Sequence, residues 1–227
     1  MIALRHPMPP FPSSRKSTNK QNTNRRHAKS GGSGRGSGRT QKASKGLVRI
    51  IGGKHRTRRL PVLVHEGLRP TGDRVKETLF NWLMTHTPDA TCLDMYAGSG
   101  SLGIEALSRG AKHVCFIEQD VKVAAQIQSN INSLKETDNA TILQASALQV
   151  NINDIAPFDL VFLDPPFGQG LIKKSLDYLF THDLLSSNAK VYIEGSHDDE
   201  YIIPENMNLL KEIKTSQVLA RLFSVSI

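Results

Sequence analysis

Short apolar runs alternate with amphipathic stretches along most of the chain, and this pattern predicts its architecture. The apolar runs are TCLDMY (91–96), HVCFIE (113–118), ATILQA (140–145), DLVFLD (159–164) and KVYIEG (190–195). Between them, apolar residues recur at helical spacing from near Ser99, Asp120 and Gly170. Strands that are apolar on both faces and separated by helices are typical of a parallel sheet covered by helices on both sides.

The two flanks of this region add further elements. LVRII (47–51) and RRLPVLV (58–64), joined by GGKHRT, predict a β-hairpin with a basic turn. The segment 71–86 predicts a helix with Thr71 or Asp73 as its cap. Residues 208–227 predict two neighbouring strands with a turn near Thr215 and Ser216, which would add an antiparallel edge to the sheet.

Composition separates the first 46 residues from the rest. They are rich in Ser, Gly, Asn and Pro and have few aliphatic side chains, which predicts a disordered tail. We therefore divide the chain into a basic tail (1–46), a hairpin extension (47–70) and an α/β domain (71–227).

Charge is distributed just as unevenly. The tail carries 11 of the 29 Lys and Arg residues and none of the 21 Asp and Glu residues, so the rest of the chain has a net charge of −3. A basic front points to a polyanionic partner. Three interpretations of the tail stay open: an arm that binds nucleic acid, a mitochondrial transit peptide whose amphipathic helix four prolines would interrupt, or a misassigned start codon.

Other classes of protein are disfavoured by what the sequence lacks. It has no apolar run of 18 residues and no signal-peptide core, so we expect a soluble cytoplasmic protein without a membrane partner. Cys92 and Cys115 each lie in an apolar run, which predicts buried free thiols, and no spacing of Cys or His predicts a metal site.

The stretch DMYAGSGSLG (94–103) contains a glycine pattern of the G-x-G-x-x-G type. This pattern usually holds the pyrophosphate of NAD or FAD. Asp94, however, would repel a pyrophosphate, whereas it suits a cationic ligand such as S-adenosylmethionine. Glu118 lies 20 residues beyond Gly98, where it can bind the ribose hydroxyls of either nucleotide.

A second motif, LDPPF (163–167), ends a predicted strand at the edge where such folds bind ligands. Two prolines stiffen the turn and leave its carbonyls free to accept hydrogen bonds. Asp164 and the Pro165 carbonyl can therefore accept the two hydrogens of an exocyclic amine, while Phe167 stacks on the base. This combination predicts methylation of an amine on a nucleobase.

These motifs resemble those of class I methyltransferases. RIIGGKHRTRRLPV, GLRPTGDRVKETLFNWL, AGSGSLGIEALSRGA, IEQD and VFLDPPF also resemble, in order and spacing, the D-type family of bacterial 16S ribosomal RNA guanine-N2 methyltransferases, over residues 48–225. The resemblance implies a Rossmann-like fold with a mostly parallel seven-stranded sheet whose last strand is antiparallel, preceded by a small N-terminal hairpin. It also implies methyl transfer from S-adenosylmethionine, with S-adenosylhomocysteine as product, to guanine N2 in 16S rRNA of the small-subunit particle. We expect a monomer.

The resemblance also assigns cofactor contacts. It implies that Asp94, Gly98 and Gly100 contact the methionine and sulfonium end, Glu118 the ribose, Ser146 and Ala147 the adenine, and Thr71 and Arg74 the methionine carboxylate. Ser146 stands where the family usually has Asp or Asn, so its bond to the adenine amine should be weaker. From their charge we predict RNA phosphate contacts at Lys54, Arg56, Arg58 and Arg59, for which the alternative is a solvated basic hairpin.

Three other functions stay open at this point. A DNA adenine-N6 methyltransferase would use the same fold and cofactor, because LDPPF does not separate guanine N2 from adenine N6. An NAD-binding oxidoreductase would account for the glycines but not for LDPPF. A ribosome-binding module without catalysis would leave both motifs without a purpose.

Overall fold

The computed structural model describes residues 44–64, 72–216 and 218–226, all within the unit Gln41–Ile227. The elements are β1 (Ser44–Arg49), β2 (Arg59–Val64), α1 (Asp73–Trp82), β3 (Thr91–Asp94), α2 (Ser101–Ser108), β4 (His113–Glu118), α3 (Val121–Leu134), β5 (Ala140–Gln144), β6 (Phe158–Leu163), α4 (Leu171–Thr181), β7 (Leu185–Gly195), β8 (Met207–Lys214) and β9 (Leu219–Val225). Of the predicted tail, only residues 44–46 are described, and they belong to β1.

Seven strands form one sheet in the order β5-β4-β3-β6-β7-β9-β8. The first five strands of this order are parallel, and β9 runs antiparallel to both of its neighbours. This arrangement confirms the predicted Rossmann-like sheet with an antiparallel last strand. All five apolar runs form strands, but β7 begins at Leu185, five residues before the run that predicted it, and its register against β6 shifts between Phe158 and Leu160.

Both faces of the sheet are buried, as the continuous apolar runs predict. On β6, Leu160 and Phe162 pack in a core with residues of α1, α2 and α3, whereas Val161 and Leu163 pack in a second core with residues of α4. Alternate residues of a strand point to opposite faces. The sheet is therefore held from both sides, and the ends of its strands keep fixed positions.

The start of α3 agrees with the sequence pattern, whereas the start of α1 corrects the predicted cap. Asp120 caps α3, because its Oδ1 accepts the backbone N–H groups of Lys122 and Val123 at 2.7 and 3.1 Å. The predicted Asp73 cap of α1 is wrong: Asp73 is the first residue of the helix, where its charge favours the helix dipole, and Gly72 occupies the cap position. Thr71 lies outside the described residues.

Strands β1 and β2 form a separate antiparallel hairpin whose connecting loop is fastened to α2. Glu105 of α2 is fully buried, and its carboxylate accepts the backbone N–H groups of Ile51 and Gly52, each at 2.8 Å. Arg109 Nε lies 2.7 Å and the buried Lys76 Nζ 3.9 Å from the same carboxylate. Burial lowers the pKa of Lys76, against the opposing charge of Glu105. These contacts attach the hairpin loop to the core of the sheet domain through the buried carboxylate of Glu105.

A second set of contacts holds the turn of the hairpin. Glu136, just after α3, accepts Lys54 Nζ at 2.8 Å and is 2.5 Å from His55 Nε2. Burial raises the pKa of Glu136, but hydrogen bonds from Lys54, Asn139 and His55 outweigh it and lower the pKa overall. The Ser108 hydroxyl accepts the His55 N–H at 3.0 Å. The hairpin is thus anchored at the carboxyl ends of both α2 and α3.

None of the helices among the described residues is long and apolar enough to cross a membrane.

Candidate active site

A cleft of about 1160 Å³ opens at the carboxyl ends of the parallel strands. It lies where the strand order reverses between β3 and β6, which is the usual ligand position in open α/β sheets. Side chains from the ends of β3, β4, β6 and β7 line it: Asp94, Glu118, Asp164 and Glu194. Four neighbouring strands therefore each direct a carboxylate towards one cleft.

Asp94 ends β3 and is 3% exposed. Its Oδ2 accepts the backbone N–H of Gly103, in the first turn of α2, at 2.9 Å. The pKa of Asp94 is raised to about 7: burial is the largest cause, the Gly103 hydrogen bond opposes it, and the charge of Glu118 adds to the rise. The side chain thus fastens α2 and also presents a carboxyl group to the cleft that a cation would ionise.

Glu118, at the end of β4, shapes the glycine loop. One of its oxygens accepts the Gly98 N–H and the other the Asp120 N–H, both at 2.8 Å. Each carboxylate oxygen can accept a second hydrogen bond. Glu118 can therefore support the loop and bind ribose hydroxyls with the same group.

The three glycines of the loop have different structural roles. Gly98 lines the cleft and has a φ of 51°. Gly100 does not line it; it is the N-cap of α2, with a φ of 73°. A Cβ on Gly103 would lie 2.2 Å from Cε1 of Phe116, so this position lets α2 pack against β4. Gly100 therefore shapes the turn that begins α2, and its contact with the ligand stays a prediction.

The remaining predicted cofactor residues divide in a similar way. Ser146 and Ala147, after β5, line the cleft. At the start of α1, Gly72 and Val75 line it, whereas Arg74 is exposed and does not. The N-terminus of a helix favours a carboxylate, so the beginning of α1 suits the end of the cleft to which the resemblance assigns the methionine carboxylate.

The LDPPF turn places all three predicted catalytic residues, Asp164, Pro165 and Phe167, on the cleft wall. Phe167 is 43% exposed, which leaves its ring accessible to a base. Just beyond it, the Gly168 N–H donates to Asp199 Oδ1 at 2.9 Å, and Asp199 Oδ2 accepts the Ser196 N–H at 2.7 Å. Asp199 therefore ties the segment after the turn to the end of β7.

The four basic residues predicted to contact RNA lie in or beside the hairpin loop, and their side chains differ in availability. Arg56 and Arg59 are exposed. Arg58 is exposed and also donates to the Ser133 carbonyl at 3.1 Å. Lys54 is half exposed, but its ammonium group is paired with Glu136. The arginines are thus better placed for phosphate than Lys54.

Cys92 and Cys115 are buried free thiols, as predicted. Burial raises the pKa of both, that of Cys115 to about 12, so neither is a reactive thiolate. Among the residues that the structure describes, no group of three or more His, Cys, Asp or Glu side chains could hold a metal ion.

Two functional features were not predicted from the sequence. Glu194 lies at the end of the apolar run of β7. Asp94, Glu118 and Asp164 lie at the ends of other apolar runs, and this shared position is a signal that could have identified Glu194. Glu105 is an acid within an otherwise apolar helical segment, a position that requires a buried partner.

Comparison with known proteins agrees with this geometry. The family model described as Conserved hypothetical protein 95 matches residues 48–224. Ribosomal RNA small subunit methyltransferase D of Haemophilus influenzae is 50% identical over 183 residues, which cover 79% of this chain and 95% of that protein.

Solved structures lead to the same grouping. One Escherichia coli protein is 42% identical, with a TM-score of 0.73 over 80% of this chain and 99% of that chain. An RNA methyltransferase from Salinibacter ruber, solved with S-adenosyl-L-homocysteine, is 16% identical, with a TM-score of 0.54 over 70% of this chain and 94% of its own; it shows the likeness of fold alone. With a family model across most of its length and a relative identical at half of the aligned positions, the chain belongs to the ribosomal RNA small subunit methyltransferase D family, and its fold is that of the class I methyltransferases.

Proposed function

We propose that this protein transfers a methyl group from S-adenosylmethionine to the exocyclic N2 of a guanine in 16S rRNA of the small ribosomal subunit. One observation carries the proposal: the glycine loop with Asp94 and Glu118 and the LDPPF turn with Asp164 line the same cleft. A cofactor loop and an amine-binding turn in one cleft can bring a methyl donor and an acceptor together. The name of the H. influenzae relative supports ribosomal RNA of the small subunit as the substrate.

The groups that line the cleft fit this cofactor. Asp94 offers a buried carboxyl group for the cationic end, Glu118 retains acceptor capacity for ribose hydroxyls, and the start of α1 suits a carboxylate. Ser146 offers a hydroxyl for the adenine. When bound, S-adenosylmethionine supplies an electrophilic methyl carbon on a good leaving group.

The chain's own residues contribute mainly position and charge. Asp164 and the Pro165 carbonyl accept the two amine hydrogens, which holds N2 in one orientation and turns its lone pair away from the ring. Holding two reactants in line can lower a barrier by about 7–11 kcal/mol. The Asp164 carboxylate also stabilises the positive charge that develops on N2, until N2 loses one of its two protons to solvent.

Access to N2 requires an unpaired or flipped guanine. Flipping a base costs a few kcal/mol. Phe167, half exposed at the cleft wall, offsets part of this cost by stacking on the base, which is worth about 1–3 kcal/mol. Arg56, Arg58 and Arg59 on the hairpin side are the groups that we assign to RNA phosphates.

The test is transfer of labelled methyl from S-adenosylmethionine to small-subunit particles that lack the modification, followed by nucleoside analysis. We expect label in N2-methylguanosine. Label in N6-methyladenosine when DNA is offered as a separate substrate, or calorimetric binding of NADH in preference to S-adenosylmethionine, would favour one of the other two enzyme classes.

The Asp164→Ala variant tests the assigned chemistry. We expect the transfer rate to fall by at least about 10²-fold, as for the loss of a charge-stabilising group, with the affinity for S-adenosylmethionine largely unchanged. Asp177→Ala is the matched control, because Asp177 lies on the exposed face of α4, paired with Lys173. A near wild-type rate in Asp164→Ala would remove the role given to Asp164.

A further inference from the structure

The carboxylate of Glu194 faces the cleft, and no step proposed above uses it. Glu194 lies at the end of β7, is 5% exposed and lines the cleft. The Tyr192 hydroxyl donates a hydrogen bond of 2.8 Å to its Oε2. This bond orients the carboxylate from the side of the core.

Glu194 and Asp164 lie at equivalent positions of two adjacent parallel strands. Leu163, the last residue of β6, is paired with Ile193 of β7, so Asp164, the residue after β6, lies beside Glu194. Neighbouring residues in register point to the same face of a sheet. Two carboxylates thus approach the cleft from one side of the sheet.

The residues that precede the two acids on the same face of the sheet are also neighbours. Phe162 and Tyr192, two residues before Asp164 and Glu194, are paired in the sheet, with their rings edge to face at a centroid distance of 6.5 Å. Burial raises the pKa of Tyr192, and the negative charges of Glu194 and then Asp164 raise it further. Both carboxylates are therefore close enough to act on the same buried hydroxyl.

Two neighbouring carboxylates at the wall of a cleft are not explained by the stability of the fold. Removal of a carboxylate from water disfavours its charged form, and a second carboxylate nearby adds repulsion. A ligand edge that presents several N–H donors in a row would stabilise such a pair through charge-assisted hydrogen bonds.

Among the RNA bases, only guanine presents a ring N–H donor beside an exocyclic amine. Its N1–H lies next to the N2 amine. Adenine has a lone pair at N1 beside its 6-amine, and cytosine has a lone pair at N3 beside its 4-amine. A second carboxylate next to the amine site would bind the guanine edge and repel the other two.

We propose that Glu194 selects guanine by accepting a hydrogen bond from N1–H while Asp164 and the Pro165 carbonyl hold the N2 amine. This inference rests on the proposed function, because it takes guanine N2 as the methylated atom. It also supplies a discrimination that LDPPF lacks, since a carboxylate and a carbonyl can accept hydrogens from any exocyclic amine.

The experiment uses the full chain and particles reconstituted around 16S RNA with one changed base. The methylated position carries either guanosine or, through a ligated synthetic segment, 2-aminopurine, which keeps the 2-amine but has a lone pair at N1. The wild-type protein should prefer guanosine by about 10⁴-fold, as sites built for an N–H donor do. Equal rates would overturn the inference and leave the proposed function intact, whereas guanosine particles without N2 label would overturn the proposed function.

Glu194→Gln is the decisive variant. It keeps the shape and an oxygen for the Tyr192 hydroxyl, loses the charge, and gains an amide N–H that can pair with N1 of 2-aminopurine. The guanosine preference should fall by about 10²-fold, as for the loss of a charged hydrogen bond. Intrinsic differences in amine reactivity cancel when the two enzymes are compared. The exposed Glu205→Gln variant is the matched control, with an unchanged preference.

Each outcome decides the matter. An unchanged guanosine preference in Glu194→Gln overturns the inference. Loss of turnover on both particles, with S-adenosylmethionine affinity intact, also overturns it, because selection alone leaves turnover on guanosine measurable. If Glu194→Gln does not fold, Tyr192→Phe removes the donor that orients Glu194, and an unchanged preference in that variant overturns the inference instead.

Discussion

Binding of a cationic ligand at Asp94 should release a proton. The pKa of this carboxyl group is about 7, raised by burial first and by the charge of Glu118 second. A positive charge beside it favours the ionised form and lowers the pKa. The affinity for S-adenosylmethionine should therefore rise with pH up to about 7 and fall as Asp94 becomes protonated below it.

The size of the effect follows from the pKa. Asp94 is about 3% ionised at pH 5.5 and about half ionised at pH 7, which predicts an affinity gain on the order of tenfold, or about 1.4 kcal/mol. The α-amino group of the ligand stays mostly protonated over this range, since its pKa is near 8. The same raised pKa makes the ligand-free fold less stable as the pH rises from 3.8 towards 7, because the unfolded chain releases this proton more readily.

Isothermal titration calorimetry between pH 5.5 and 7.0, in buffers of different ionisation enthalpy, measures both the affinity and the proton release. Asp94→Asn is the control: it can still accept the Gly103 N–H but cannot titrate, so its affinity should be low and independent of pH. A flat wild-type profile, or the same slope in Asp94→Asn, would refute the assignment of Asp94 to the cationic end.

Three further predictions follow from the hairpin anchor, the cleft wall and the tail. Glu105→Ala should lower the free energy of unfolding by about 3–5 kcal/mol in a urea titration, because Lys76 and Arg109 lose a buried partner; a change below about 1 kcal/mol would contradict this. Phe167→Ala should raise KM for the particle by about 5- to 150-fold at unchanged Tm, and Phe167→Tyr should not; an unchanged KM would exclude stacking. Deletion of residues 1–43 should reduce the slope of log affinity against log salt by about 0.7–0.9 for each phosphate that the tail neutralises, and an unchanged slope would mean that the tail does not bind RNA.

The sheet could be predicted from the sequence because its strands are apolar on both faces. A sheet with one face in water would instead have alternating apolar and polar residues. Asp94 and Glu118 were predicted from the glycine motif and its spacing, and Asp164 from the LDPPF turn. All three end or follow an apolar run, which places them at the ligand edge of the sheet. Glu194 satisfies this rule equally well, but no familiar motif surrounds it. Its pairing with Asp164 becomes visible only once β6 and β7 are adjacent.

Long-range pairing was the part that the sequence could not supply. Lys54 is one of several cations in a basic turn, and nothing nearby shows that Glu136, 82 residues later, will neutralise it. Gly100 matches a ligand-binding pattern, and the structure adds that its positive φ lies at the start of α2. The predicted Asp73 cap of α1 failed because a cap residue keeps a non-helical backbone: Gly72, with a ψ of 143°, is the last such residue, and Asp73 is already helical.

Helix α2 connects the glycine loop to the hairpin loop. Gly100 of the glycine loop begins it, and Glu105 and Ser108 near its far end hold the hairpin loop. Its eight residues span about 12 Å. Insertion of one residue would rotate one end against the other by about 100°. The distance and angle between the glycine loop and the hairpin loop are therefore set by the length of this helix, so relatives should tolerate insertions in the outer loops far more readily than within it.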